Sequence, residues 1–497
     1  MKADVTILAS DIGTSSVKTI LYRPDGSPVG SSSFAYPTRY DQPGWAEQDP
    51  NDWWKAYTRS ICELVQRHPR EMAVIAVIGL SGQMLGCLPV DAQGRPLYAT
   101  LIHADARAVA QASQIGQAIG AQTLYERTGN ILDARSGLAK LLWFKQHRPE
   151  IYRHADRFLQ AKDFIAAQLT GQIDATDYAD AVHAQWIDLG RKTALADIFA
   201  ELGLEAGKIP QARPGTALIG SLCGPSAAQL GLAAGIPVVA GSGDGSCAAV
   251  GAGAVRPNDV YACLGTTAWI SRIAAEPVID SRQRLFNLVS TDGQSYGVIG
   301  TTQNAGQSVR WAMSLFGDAS ERDFDAQALL APPGSDNLVF LPYLDGERTP
   351  VFDTAARGIF FGISSRHGPC HFRRAVLEGV ALALRSITAV LREQGEIGQM
   401  RLIGGGARSD LWRAMIAAAC RLELIRMATP AGDATALGAA LTAGVGVGLY
   451  PDLSAAVRVV RQESRDLPDK DWSDCFDHLD RTYAQLYPLN RVLFAKP

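Results

Sequence analysis

Short apolar runs closed by glycine and hydroxyl residues recur along this chain and alternate with stretches of three-four apolar spacing. Val5 to Ala9, Val17 to Tyr22 and Gly30 to Tyr36 are split by Asp11-Ile12-Gly13-Thr14 and by Pro24-Asp25-Gly26. That pattern predicts three strands in a meander. Val74 to Leu80 reads as a buried strand running into Ser81-Gly82-Gln83. Ile236 to Ala240 reads as another, running into Gly241-Ser242-Gly243-Asp244-Gly245 and then a small-residue helix, Ser246 to Ala252. Tyr296 to Thr301 is strand material, and a helix is expected from about Gly306. The clearest helix is 371–387, where Phe372, Ala375, Val376, Gly379, Val380, Ala383, Leu384 and Ile387 share one face. Strands alternating with helices in this way indicate an α/β fold.

One turn occurs twice. Ser10-Asp11-Ile12-Gly13-Thr14-Ser15-Ser16-Val17-Lys18 and Cys263-Leu264-Gly265-Thr266-Thr267-Ala268-Trp269 superpose without gaps, Gly13 on Gly265, Thr14 on Thr266 and Ser15 on Thr267. Each copy follows an apolar run and precedes an alternating one, the signature of a hairpin with a glycine-hydroxyl turn. Two copies in 497 residues predict a duplicated two-domain fold that holds a polyphosphate in a cleft between its halves. The boundary is expected just after Asp244, giving domains 1–246 and 247–497, with the stretch after Tyr450 able to pack on either.

Composition narrows the functional classes. The net charge of −3 offers no basic excess for nucleic acid. The most hydrophobic stretch, Ile236 to Val255, carries Pro237, Asp244 and many glycines, so it reads as buried strand and turn and not as a membrane span. The eight cysteines are scattered without metal spacing and read as reduced thiols of a cytoplasmic protein. His367 and His371 are four apart, but no third ligand accompanies them.

The residues able to carry chemistry sit at the turns. Glycine and hydroxyl turns present N–H and O–H donors to phosphate oxygens, and Lys18 adds positive charge. Asp11 could orient Mg²⁺ through water, since that ion keeps much of its hydration shell; a turn-forming Asp is the plainer alternative. Gly404-Gly405-Gly406 ends a buried strand before a helix capped by Ser409 or Asp410, which suits close approach of a ring or phosphate and equally suits a tight connection. Asp244 could take a proton from an attacking hydroxyl even at an ordinary pKa of ~4, or simply cap a helix. A dinucleotide-binding oxidoreductase is the main rival from another class. However, Gly241-x-Gly243 leads to Ser246 where the fingerprint needs a third glycine. An actin-like ATPase scaffold would share the turns without a sugar loop.

Together these elements resemble the FGGY family of carbohydrate kinases over nearly the whole chain. Gly358-Ile359-Phe360-Phe361-Gly362-Ile363, then seven residues, then His371-Phe372-Arg373-Arg374-Ala375-Val376-Leu377-Glu378 is similar to its C-terminal signature. Leu138 to Gln146 is similar to the N-terminal one, with Gly137 where a small hydroxyl residue or proline is usual. Phe340 to Leu344 with Gly346 to Pro350 looks like the family's xylulose kinases.

The resemblance implies an actin-like, ribonuclease H-like duplicated fold, ATP and Mg²⁺ as cofactors, and transfer of the γ-phosphoryl to a terminal hydroxyl of a small sugar or polyol. D-xylulose is the first substrate implied; ribulose, erythritol or erythrulose, and glycerol are the alternatives. By position, Asp244 is implied as general base and Asp11 as the metal-associated acid. Thr14, Ser15, Ser16 and Lys18 would line the first phosphate loop, with Gly265, Thr266 and Thr267 forming the second. Gly306, Arg310, Gly405, Gly406 and Ser409 would border the nucleotide. Gln83, Met84, Leu85, Trp45 and Asp105 would meet the sugar, the tryptophan through Gly44-Trp45-Ala46-Glu47-Gln48-Asp49. Xylulose kinases usually carry histidine where this chain has Leu85 and tryptophan where it has His103. Leucine donates no hydrogen bond, and a sugar hydroxyl left unpaired costs roughly 1–3 kcal/mol, enough to change sugar preference. No nucleic-acid or membrane partner is implied, and a homodimer is left open.

Overall fold

A computed structural model describes residues 5–429 and 433–494. These form two compact units, one built from residues 5–257, 274–297 and 433–460, the other from 258–273, 298–429 and 461–494. A single division at 246/247 is therefore corrected: three segments beyond it return to the first unit. The reason is packing. The helix Ala434–Gly446 lies against the first unit's sheet and against the helix Asp244–Gly251. The stretch after Tyr450 divides, residues up to Val460 joining the first unit and those from Arg461 the second.

The first unit's seven-stranded sheet contains β1 (Thr6–Ile12), β2 (Ser16–Tyr22), β3 (Pro28–Ala35), β4 (Ile75–Gly82), β5 (Leu218–Ser221), β6 (Pro237–Val239) and β7 (Ser242–Gly243). Its order is β3-β2-β1-β4-β6-β5, with β7 also on β4. The meander β1–β3 is antiparallel, as the alternation predicts; β4 is parallel to β1, β6 and β7, and β5 is antiparallel to β6.

The second unit repeats the plan with β8 (Val260–Leu264), β9 (Ala268–Ala274), β10 (Tyr296–Thr302), β11 (Gln399–Ile403), β12 (Glu423–Met427) and β13 (Gln462–Asp466) in the order β10-β9-β8-β11-β12-β13. Again β8 and β9 form an antiparallel hairpin, β11 and β12 run parallel to β8, and the last strand is antiparallel. The repeated turn is thus the first hairpin of a repeated sheet. The copies differ in where the antiparallel edge strand comes from: β5 precedes β6 in the chain, whereas β13 follows β12.

Both faces of the first sheet are covered. Leu8, Ile12, Val17, Leu21, Ile78 and Leu80 pack with Trp53, Tyr57 and Ile61 of the helix Pro50–Arg67. Ile7, Ala9, Ile20, Tyr22 and Val77 pack with Val250, Leu437 and Leu441. A further core around Trp143, Phe144, Phe158 and Trp186 belongs to the helical region between β4 and β5. In the second unit the helix expected at 371–387 spans Pro369–Arg392, and it is buried on more than the expected face: Leu377, Glu378, Ala381 and Leu382 are also inside. No described helix is long and apolar enough to cross a membrane.

Glycines set the closest crossings around Ala434–Gly446. A Cβ on Gly438 would lie 1.8 Å from the Cys247 carbonyl oxygen, one on Gly251 would lie 1.8 Å from that of Ala434, and one on Gly79 would lie 2.5 Å from that of Ala439. Backbone is met in each case, so neither helix can relax by a rotamer change. Gly438→Ala is expected to destabilise the chain by about 3 kcal/mol, whereas Gly207→Ala, where a Cβ meets nothing within 4 Å, shifts stability by less than about 0.5 kcal/mol. Denaturant midpoints of the two variants check this.

Candidate functional site

Strand register aligns the chemistry of the first unit. Asp11 on β1 lies opposite Lys18 on β2 and Ser81 on β4, and Ser81 lies opposite Ser242 on β7. The next row is Ile12, Gly82 and Gly243. One residue on, Gly13, Gln83 and Asp244 leave the carboxyl ends of three mutually parallel strands, the edge at which α/β sheets bind ligands. Gly243 caps the helix Asp244–Gly251, so Asp244 is its first residue and not its cap, and its Oδ1 accepts the Gly245 N–H at 2.7 Å. A side chain at Gly243 would meet Met84 at 2.7 Å, so that glycine lets the sugar-loop methionine pack beside Asp244.

Burial changes the acidity of both carboxyls. Desolvation pushes Asp244 up to about 6 against the pull of the Gly245 N–H, so this carboxyl is not at its ordinary value. Asp11 is pushed up to about 7, first by desolvation and then by the Asp244 charge, while Ser81 and Lys18 pull it down. Lys18 is ion-paired with Asp433, which precedes the helix Ala434–Gly446, and burial holds its pKa below the usual lysine value. The lysine expected to serve phosphate therefore already has a carboxylate partner in the same unit. Asp11 Oδ1 is buried without a hydrogen-bond partner. No group of three or more metal-type ligands exists among the described residues. One carboxylate oxygen without a cage suits a hydrated cation that draws its other ligands from phosphates.

The first turn is held from behind by its carbonyls. Tyr36 Oη donates to Gly13 O, Gln48 Nε2 donates to Thr14 O at 2.6 Å, and the Tyr36 N–H donates to Ser15 O at 3.1 Å. The Gly13 N–H closes the turn on Ser16 O at 3.0 Å. With the carbonyls engaged, exposed Thr14 and Ser15 offer N–H and hydroxyl donors to an anion.

The second turn is one residue tighter. Ile12 pairs with Val17 in the first hairpin, but Leu264 pairs with Ala268 in the second. The Gly265 N–H accordingly reaches Thr267 O at 3.0 Å. This turn is fastened to the start of the helix Gly306–Phe316, with the Gly306 N–H on Gly265 O at 2.9 Å and the Ala305 and Gln307 N–H groups on Thr266 O at 3.0 Å. A Cβ on Gly306 would lie 2.6 Å from Gly265 O and 3.7 Å from the exposed Arg310 guanidinium.

The glycine run divides its roles. Side chains at Gly404 or Gly406 would collide with Leu264 at 2.6 Å, so both serve the tight connection, whereas Gly405 faces open space. Ser409 caps the helix Asp410–Cys420 by accepting the Trp412 N–H at 3.0 Å, and its hydroxyl donates to Asp325 at 2.6 Å.

The residues expected to meet the sugar fall into two groups. Gln83 and Met84 stand at the end of β4 beside Asp244. Trp45 and Asp105 belong to a neighbouring cluster in which the Arg107 guanidinium lies 3.6 Å over the Trp45 ring and pairs with Glu47 at 2.8 Å. Asp105 is fully engaged there, accepting from the Ala46 N–H at 2.7 Å and from Arg107 Nη2 at 2.6 Å. Leu85 joins the two groups. It adopts φ +60°, and its carbonyl, like that of Ile102, accepts from Lys140, at 2.8 and 2.7 Å. Burial lowers the Lys140 pKa to about 8. The side-chain roles of Lys140, Tyr36 and Asp433 had no local signal, because each acts on a residue far away in the chain.

The profile of the FGGY family of carbohydrate kinases, N-terminal domain, matches residues 6–251, and that of its C-terminal domain matches residues 260–447. The chain belongs to the FGGY family of carbohydrate kinases. It is 31% identical to the xylulose kinase of Escherichia coli (strain K12), covering 96% of this chain and 97% of that one. It is 28% identical to the gluconokinase of Bacillus subtilis (strain 168), covering 94% and 92%. The crystal structure of ligand-bound xylulose kinase from Lactobacillus acidophilus superposes with a TM-score of 0.92 at 27% identity, covering 98% of both chains.

The raised pKa values predict a pH-dependent stability. Because both carboxyls sit above their ordinary value, the folded chain holds protons that the unfolded chain has released. The contribution of these two groups to stability therefore falls as pH rises from about 4 to about 7. Asp11→Asn removes one of the penalised charges. Its denaturant midpoint should match the parent near pH 4.5 and exceed it at pH 8 by on the order of 2 kcal/mol; a gap that does not change with pH contradicts the burial account.

Proposed function

We propose that the chain phosphorylates D-xylulose at its terminal hydroxyl to give D-xylulose 5-phosphate, with ATP as donor and Mg²⁺ as accompanying cation. One observation carries the chemistry: two half-buried carboxyls, Asp11 and Asp244, stand at the ends of the two parallel strands that flank β4, with pKa values raised to about 7 and about 6. Asp244 takes the proton of the attacking hydroxyl as its oxygen bonds to the γ-phosphorus and the bond to the bridging oxygen breaks, releasing ADP. The transition state of phosphoryl transfer is loose, so the base acts late, and a raised pKa makes it a better acceptor than an ordinary carboxylate. The exposed Thr14 and Ser15 offer donors suited to phosphate oxygens, and the turn Gly265-Thr266-Thr267 offers its own. Asp11, through its unpartnered Oδ1, would hold the cation by way of water. Bound there, Mg²⁺ offsets phosphate charge.

The choice of D-xylulose draws on the relatives named as xylulose kinases. Leu85 favours a second reading within the same chemistry, another small ketose or a polyol, because leucine cannot donate to a sugar hydroxyl. The test is an ADP-release assay over D-xylulose, ribulose, erythritol, erythrulose, glycerol and gluconate, with Leu85→His beside the parent. Histidine tolerates the left-handed backbone at this position at least as well as leucine, so the variant reports on the side chain. D-xylulose as the best parent substrate supports the first reading. A parent that prefers another member, with D-xylulose activity gained by Leu85→His, supports the second. Asp244→Ala is expected to keep ATP affinity and to lower kcat by at least about 10³-fold; a variant within about tenfold of the parent removes Asp244 as base.

A further inference from the structure

Gln48 holds the centre of a hydrogen-bond network whose sense can be assigned from donor and acceptor chemistry alone. Its side chain is buried, with the residue 1% exposed, and it uses its full capacity. Oε1 accepts from Trp53 Nε1 at 2.9 Å and from Gln83 Nε2 at 2.8 Å, while Nε2 donates to Thr14 O at 2.6 Å and to Thr38 Oγ1 at 2.7 Å. An indole N–H can only donate and a backbone carbonyl can only accept. The Gln48 amide is therefore locked from both ends: oxygen toward Trp53, nitrogen toward the first turn. It follows that Gln83 must present its nitrogen to Gln48, because the reverse orientation would set two oxygens against each other.

That leaves Gln83 Oε1 facing away. The residue is 2% exposed, and this oxygen is buried with no hydrogen-bond partner. An acceptor desolvated and left unpaired is costly unless something else supplies a donor. Gln83 leaves β4 one residue beyond the row Ile12, Gly82 and Gly243, level with Asp244, and its N–H is anchored on Ile12 O at 2.8 Å. We infer that Gln48 is a positioning residue that aims Gln83 Oε1 as a hydrogen-bond acceptor for a substrate hydroxyl, and that the same amide ties this acceptor to the first phosphate turn through Thr14 O. The inference rests on the sugar-kinase reading and adds to it the residue that sets the polarity of the contact: a hydroxyl fits Oε1, whereas a carbonyl or carboxylate oxygen does not.

The test measures sugar KM and kcat separately on the best substrate of the parent. Gln48→Leu frees the Gln83 amide to rotate and should raise sugar KM about tenfold with kcat within about threefold. Gln48→Glu keeps an oxygen facing Trp53 and Gln83 but sets its second oxygen against Thr14 O, so it should raise the KM for ATP while leaving sugar KM below that of Gln48→Leu. Gln83→Leu alone should match Gln48→Leu, and the double variant should be no worse than either, because the group being aimed is already gone. If Gln48→Leu does not fold, Trp53→Phe, which removes only the orienting N–H, should raise sugar KM about threefold. An unchanged sugar KM in Gln48→Leu or Trp53→Phe, or fully multiplicative effects in the double variant, would overturn the inference. A parent inactive on every member of the panel would instead overturn the kinase reading beneath it.

Discussion

Half-buried carboxylates placed at the ends of parallel strands, desolvated and close enough for the charge of one to act on the other, are the constraint around which this molecule is arranged. Asp11 and Asp244 come from segments far apart in the chain, and β4 brings them together by pairing with both β1 and β7. Desolvation raises both pKa values, and the charge of Asp244 raises that of Asp11 further. Such an arrangement disfavours the folded state at neutral pH, which is the usual signature of a site shaped for chemistry and not for stability. The surrounding core supplies the compensation: apolar side chains cover both faces of the sheet, and glycines let the helices cross it at backbone contact distance.

The two turns show how backbone can leave its donors available to an anion without a dedicated loop motif. In each, carbonyl oxygens are taken up by neighbours, which leaves donors outward. The neighbours differ, however. Side chains of Tyr36 and Gln48 hold the first turn, whereas the start of a helix holds the second. The duplicated sheets share the order of their meander and of the parallel strand beside it, so the repeat is one of architecture, while the fastening of each turn is individual.

Much of this was legible in the sequence, because strands, turns and the glycine-hydroxyl repeat are local features with short periods. The meander, the strand ending at Gly82, the helix starting at Gly306 and the Ser409 cap all have local causes. What could not be read depends on distant partners. The helix Ala434–Gly446 is apolar on all sides and carries no periodicity to say which unit it joins. Its neighbour Asp433 pairs with Lys18 from 415 residues away, which no spacing rule anticipates. The one-residue difference between the turns is hidden by a gapless superposition and appears only in strand register. The elevated pKa values come from desolvation, and desolvation of a carboxyl is not encoded by its immediate neighbours. Asp105 illustrates the reverse case: the motif around it is recognisable, but its oxygens are consumed inside the protein by Ala46 and Arg107.

The most direct test of the account is the pH profile of kcat/KM for the sugar, which reports the ionisation of essential groups in the free enzyme. The account predicts an acid limb with an apparent pKa near 6, set by the buried Asp244 carboxyl. A profile that stays flat down to about pH 4.5, the ordinary carboxylate range, would show that no buried carboxyl governs proton transfer and would contradict it.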